Sequence, residues 1–140
     1  MNTDWIAKYI KKSKMSIHEA EKCLGAELHR AAIARGYYGL YQAANAWMEF
    51  KGYPRKDETR LNWHHNEVNR SWPSLLEQVG VDDIYADAVY NTAQDFRVRI
   101  EYQTGPEPTS SDADKCVENC KRYAQAIWTA LKKEGHDGNR

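Results

Sequence analysis

Apolar residues recur every three or four positions along most of the chain, and few segments alternate apolar and polar residues with period two. That spacing places the apolar side chains on single faces of helices and gives no support for strands. The first predicted helix runs from about Asp4 to Leu24, with Ile6, Ile10, Ile17, Ala20 and Leu24 as its buried stripe and Gly25 as a stop signal. Lys8, Lys11, Lys12 and Lys14 form a basic side, read as a solvated face and, as the lesser alternative, as a phosphate-contacting patch. The second helix, from about Leu28 to Phe50, is apolar on two sides. Tyr37, Tyr41, Ala44 and Met48 mark one side, and Ile33, Leu40, Ala43 and Trp47 the other, so this helix belongs between neighbours. Gly36 and Gly39 each cost it about 1 kcal/mol of helix propensity relative to alanine. Close approach of another helix, or of another subunit, is the expected compensation.

Proline and glycine punctuate the rest. A polar connection over residues 51–59, with Gly52 and Pro54, follows the second helix. A third helical stretch is expected from near Leu61, broken or bent at Pro73 and finished by Gly80. Asp82 and Asp83 suit the start of a fourth helix reaching about Tyr102, and residues 103–108 form a turn-rich loop. Thr109, Ser110 and Ser111 then offer capping oxygens to a last helix, whose stripe is Val117, Cys120, Ala124, Ile127 and Leu131. A polar, frayed tail is expected from about Gly135. The fold class is therefore all-α, an antiparallel bundle of four to five helices, with residues 1–140 as one domain.

Composition narrows the function classes. Twenty basic and twenty acidic residues cancel, which argues against a general DNA-coating role, since such affinity comes mainly from neutralising phosphates. No apolar run approaches membrane-spanning length and residues 1–9 are too polar for a signal peptide, so a cytoplasmic protein with no membrane partner is expected. Cys23, Cys116 and Cys120 are odd in number and read as reduced core thiols. Neither a second cysteine pair nor a spaced histidine pair completes a metal site, and no metal or other cofactor is expected.

Three segments, in order, carry a family resemblance. Residues 30–46 contain Gly36-Tyr37-Tyr38-Gly39-Leu40-Tyr41-Gln42-Ala43-Ala44; His65-Asn66-Glu67-Val68 follows; then comes Arg97-Val98-Arg99-Ile100-Glu101-Tyr102. Together they resemble the tyrosine pair, the helix-opening histidine and the Arg-x-x-Ala-Asp-Tyr segment of stand-alone prokaryotic HEPN domains, over roughly Ser16 to Lys133. The departures are specific. Gln42 stands where many members carry histidine, and Ile100-Glu101 replaces Ala-Asp. HEPN ribonucleases place a histidine four to six residues after a late arginine, whereas Arg97 has only the distant His136 downstream. Arg60 and His65 match that spacing formally, but ahead of the third helix.

The resemblance implies an arginine that holds phosphate and a histidine that moves a proton, a division that suits guanidinium and imidazole. It nominates Arg97, His65 and His64 for catalysis, and Tyr37, Tyr38, Gln42, Arg60, Glu101 and Tyr102 for ligand binding. Each has a plainer role beside it. Arg97 can pair with Glu101 one turn on, His64 and His65 can bond locally at a helix start, and the tyrosines can be core or interface aromatics. Three functions follow. The leading one is an RNA- or nucleotide-binding or interaction module of a prokaryotic toxin–antitoxin or anti-phage system. The second is an active metal-independent ribonuclease using Arg97 or Arg60 with His64 or His65. The third is a structural subunit of a larger complex, for which the five tryptophans, if exposed, would supply hot spots. The family also implies a symmetric homodimer and a nucleotidyltransferase or other protein partner.

Overall fold

The computed structural model describes residues 1–55, 62–81, 93–95, 98 and 107–138. The elements with defined bounds are α1 (Thr3–Gly25), α2 (His29–Lys51), α3 (His65–Gln78) and α4 (Ser110–Lys133), and residues 93–95 are also helical. No strand occurs among the described residues. The helical bundle expected from the periodicity is therefore present. No helix among the described residues is long and apolar enough to cross a membrane.

Helix α2 is the centre of the bundle. From Leu40 to Glu49 every residue is buried, which is why its sequence carries no polar face there. Helix α1 lies antiparallel to it: Ser13 Oγ donates to the Gly39 carbonyl at 2.6 Å, and the Asn2 amide donates to Glu49 Oε1 at 2.9 Å. The α1 stripe is buried at Ile6, Ile10, Ile17 and Ala20, with Leu24 packed at its edge. Helix α4 buries Val117, Cys120, Ala124, Ile127 and Leu131 as its spacing predicts. Its start is a capping box, in which Thr109 Oγ1 accepts from the Asp112 amide while Asp112 Oδ2 accepts from the Thr109 amide.

The two helix glycines are close-approach points, but unequal ones. A Cβ on Gly39 would sit 2.6 Å from two carbons of Ile17 and 3.2 Å from the Ser13 carbonyl oxygen. At Gly36 it would meet Val117 and Cys120 of α4 at ordinary contact distances of 3.5–3.7 Å. The neighbours are α1 and α4 of the same chain, so another subunit is not needed to explain either position.

Several local expectations are corrected. Helix α3 begins at His65 rather than near Leu61, because residues 62–64 are held as non-helical backbone on α2. Pro73 lies inside α3, which runs on to Gln78 without a break. Proline removes only its own bond to the Asn69 carbonyl, and burial of Trp72 before it and Leu75 and Leu76 after it holds both halves. Helix α1 does stop at Gly25, as expected, but the left-handed conformation beyond it is taken by Glu27, with φ 60°. Nor is the tail loose over residues 136–138. Gly138, at φ 87°, lies against Ile10, and His136 packs edge-on to Phe50 with ring centroids 5.3 Å apart.

Helix α3 also departs from the antiparallel expectation. Tyr37 meets His65 and Trp47 meets Gln78, so α3 runs in the same general sense as α2. Trp63 meets Asn45 and His65 meets Tyr37, so the described residues that lead into α3 lie beside the middle of α2.

The thiols behave as core groups. Cys116 and Cys120 are buried, Cys23 is half-buried, and none is in a disulfide. The hydrogen bond between the first two pulls the Cys116 thiol down, while the same bond and full burial push Cys120 well up. A native-state titration with a thiol-reactive disulfide reagent is expected to modify Cys23 first and to leave Cys120 unmodified until denaturant is added. Reaction of Cys120 at the Cys23 rate would contradict this packing.

Candidate functional site

The site is built from the clamp that α2 places on the backbone of Trp63. Asn45 Oδ1 accepts from the Trp63 amide at 2.9 Å, and the Tyr41 hydroxyl donates to the Trp63 carbonyl. Asn45 Nδ2 in turn donates to the Tyr41 carbonyl at 2.8 Å, locking the amide's orientation. A buried polar side chain in an otherwise apolar helix needs such partners, and here they satisfy the backbone N–H and C=O of one residue. The clamp fixes where α3 starts. His64 caps it, its amide donating to Glu67 Oε1 at 3.1 Å, and His65 becomes the first helical residue.

His65 is thereby aimed back at α2. Its ring centroid lies 4.2 Å from that of Tyr41 and 5.4 Å from that of Tyr37, with which it is stacked at 28°. The Tyr37 hydroxyl and His65 Nδ1 share a hydrogen bond. That bond fixes the imidazole's orientation and couples its tautomer to the phenol. Tyr37 is fully buried, His65 is half-buried and Tyr38, 44% exposed, is the member of the tyrosine pair that faces out. One turn of α2 thus presents a buried and an exposed phenol, and the first residue of α3 adds an oriented imidazole. Gln42, 4% exposed, adds a buried side-chain oxygen with no hydrogen-bond partner among the described residues, an arrangement that costs about 1–3 kcal/mol when nothing offsets it.

The structure therefore brings Tyr37, Tyr41 and His65 together, keeps Tyr38 and Gln42 on the same helix, and gives His64 a helix-capping role. Arg60, Arg97, Glu101 and Tyr102 lie outside the described residues. So does the convergence of Arg97 with His65 that the ribonuclease reading requires. Asn45 and Trp63 were not singled out from the sequence. The signal available was an asparagine among the alanines of α2, which calls for partners without naming them.

A second polar cluster, also not foreseen, joins the start of α1 to the end of α2. Arg55 pairs with Glu49, which is buried, and its guanidinium stacks 4.1 Å from the Trp63 ring centroid and 5.2 Å from that of Trp5. Arg55, Trp63, Glu67 and Arg70 line a cleft of about 250 Å³ beside it. Burial pushes the Tyr9 phenol above its ordinary range, against the opposing hydrogen bond and charge of Arg55. A raised folded-state pKa means the protonated form is the stabilised one. Its contribution is complete below the unfolded phenol's pKa and is lost as pH rises through the folded value. Denaturant titrations are expected to show alkaline destabilisation that Tyr9→Phe reduces; an identical alkaline limb in both proteins would refute the assignment.

The tryptophans do not form the exposed surface that the structural-subunit reading looked for. Trp47, Trp63 and Trp72 are buried, and Trp5 and Trp128 are half-buried. Among the described residues, no group of three His, Cys, Asp or Glu side chains is placed to hold a metal ion. Comparison of the chain with models of known families and with curated proteins finds no match.

Proposed function

We propose that this chain is a HEPN-like module that binds RNA or a nucleotide at the Tyr37–Tyr41–His65 cluster, in a prokaryotic toxin–antitoxin or anti-phage setting. The supporting observation is the hydrogen bond between the Tyr37 hydroxyl and His65 Nδ1, which joins the tyrosine pair to the helix-opening histidine. These are two of the three segments on which the family resemblance rests. In this reading the imidazole and the exposed Tyr38 contact the ligand, and Arg97 and Arg60 supply phosphate contacts. A homodimer and a nucleotidyltransferase partner belong to the same proposal, tested by solution mass and by co-purification.

The same hydrogen bond favours a second reading. An imidazole held in one orientation is what general acid–base catalysis of ribose 2′-hydroxyl attack needs. Two measurements separate the readings. Calorimetric titration with ribonucleoside triphosphates and a trinucleotide RNA is expected to show binding that weakens about tenfold or more in His65→Ala, the scale of one charge-assisted hydrogen bond. Tyr37→Phe keeps the ring and removes only the orienting bond, and is expected to have a smaller effect. Unchanged affinity in His65→Ala would sink the binding proposal. Cleavage of RNA in the presence of a chelator, abolished by His65→Ala or Arg97→Ala, would replace it with the ribonuclease.

A further inference from the structure

The net charge of zero hides a segregation. Residues 5–18 carry Lys8, Lys11, Lys12 and Lys14 without an acidic residue, and residues 119–133 carry Lys121, Arg122, Lys132 and Lys133 without one. The fold lays these two stretches side by side, since α1 and α4 pack antiparallel: Glu21 pairs with Lys121, while Lys14 reaches the far end of α4. Lys121 is neutralised by that pair. The remaining lysines of the two stretches form no ion pair among the described residues.

Between the helices lies a groove of about 360 Å³, within the usual size range of small-ligand sites. Lys14, Gln125, Trp128, Thr129 and Lys132 line it. Its floor is fixed. Trp128 Nε1 donates to Ser13 Oγ at 2.8 Å, and Ser13 Oγ donates to the Gly39 carbonyl, so the indole is tied through α1 to α2. Lys14 Nζ stands 5.7 Å from the indole centroid. One acidic residue of the tail, Asp137, enters the groove, and its carbonyl accepts a 3.3 Å hydrogen bond from Lys14 Nζ.

We propose that this α1–α4 groove binds the phosphodiester backbone of single-stranded RNA, with Lys14 and Lys132 on phosphates and the Trp128 indole against a base. Ammonium groups beside an aromatic face are the chemistry that single strands use, because every base has a π-face and every linkage a charge. An anionic bilayer is the poorer match. Membrane binding needs apolar side chains that can leave the protein surface, and the indole is anchored inward by its N–H. Naming RNA as the polymer rests on the function proposed above; the groove itself uses helix faces that contribute nothing to the Tyr37–His65 cluster.

The test is fluorescence anisotropy of a labelled oligouridylate across a salt series. Lys14→Glu/Lys132→Glu is expected to lose about tenfold or more in affinity and to flatten the salt slope by about 1.4, at roughly 0.7 per phosphate contact. Asp137→Asn is expected to tighten binding. The double variant should leave His65-dependent nucleoside triphosphate binding unchanged, so either site can fail alone. Circular dichroism checks the fold, and the milder Lys132→Gln, expected to remove one contact from the slope, serves if the double variant is unstable. Wild-type affinity and slope in these variants, or binding to phosphatidylglycerol-rich vesicles in place of RNA, overturns the proposal.

Discussion

Trp63→Ala is expected to destabilise the protein by about 3–5 kcal/mol, read as a fall in the denaturant midpoint. The indole is 1% exposed, and its N–H donates to the Pro54 carbonyl at 3.1 Å. One face carries the Arg55 guanidinium. Removing the ring leaves a cavity and strips that guanidinium of its aromatic partner. The backbone bonds to Tyr41 and Asn45 involve no side-chain atom of Trp63, so they survive in principle but lose the anchor that holds residue 63 in register. His65, two residues on, loses its fixed approach to Tyr37. The same variant is therefore expected to weaken the binding proposed at the Tyr37–His65 cluster, under conditions where it remains folded. Trp63→Phe, which keeps much of the buried area, should fall between. A loss below about 1 kcal/mol in Trp63→Ala would mean that the segment after Gly52 is not held as described.

Substitution of the two helix glycines is expected to have opposite signs. Gly36→Ala adds a methyl at ordinary van der Waals distance from Val117 and Cys120 and gains helix propensity, so a stabilisation of up to about 1 kcal/mol is expected. Gly39→Ala gains the same propensity but drives its methyl into Ile17, which is 2% exposed and has little room to move. The Ser13 carbonyl is backbone and can retreat only if α1 does. Such overpacking costs about 1–3 kcal/mol, and separating the helices also stretches the bond from Ser13 to Gly39, so a net loss of about 2 kcal/mol is expected. A double-mutant cycle checks the cause: Ile17→Ala should absorb much of the Gly39→Ala penalty. Additive effects, or equal signs at the two glycines, would show that the α1–α2 contact is looser than these distances require.

How far the sequence reached differs by element. The stripes of α1 and α4 were legible because each helix buries one face, and a one-sided pattern has one solution. The two-sided α2 was legible as central because a helix apolar on two sides needs neighbours on both. Of the break or bend expected at Pro73, the break does not occur, because propensity is local, whereas Trp72, Leu75 and Leu76 pin α3 from both sides of the proline. The frayed end expected after Gly135 failed at residues 136–138 because two glycines with positive φ let a polar segment fold back onto α1, which composition does not reveal.

The candidate site divides in the same way. Tyr37 and His65 stood out as residue types in a family-like order, and their meeting needed no special foresight once both lay in the right helices. Asn45, Trp63, Glu49 and Arg55 stayed invisible, because Asn45 and Trp63 acquire their meaning from each other, and Glu49 and Arg55 from Asn2 and Trp5 at the far end of the chain. The sequence by itself determined α1, α2 and α4, their buried faces and the chemistry available at the tyrosine pair and the histidine. Only the tertiary structure decided that α3 runs along α2, that one glycine is a tight contact and the other a loose one, and that two acid-free stretches line a common groove. Periodicity records what one helix needs from solvent and core; which helix answers that need, and at what distance, is set by packing.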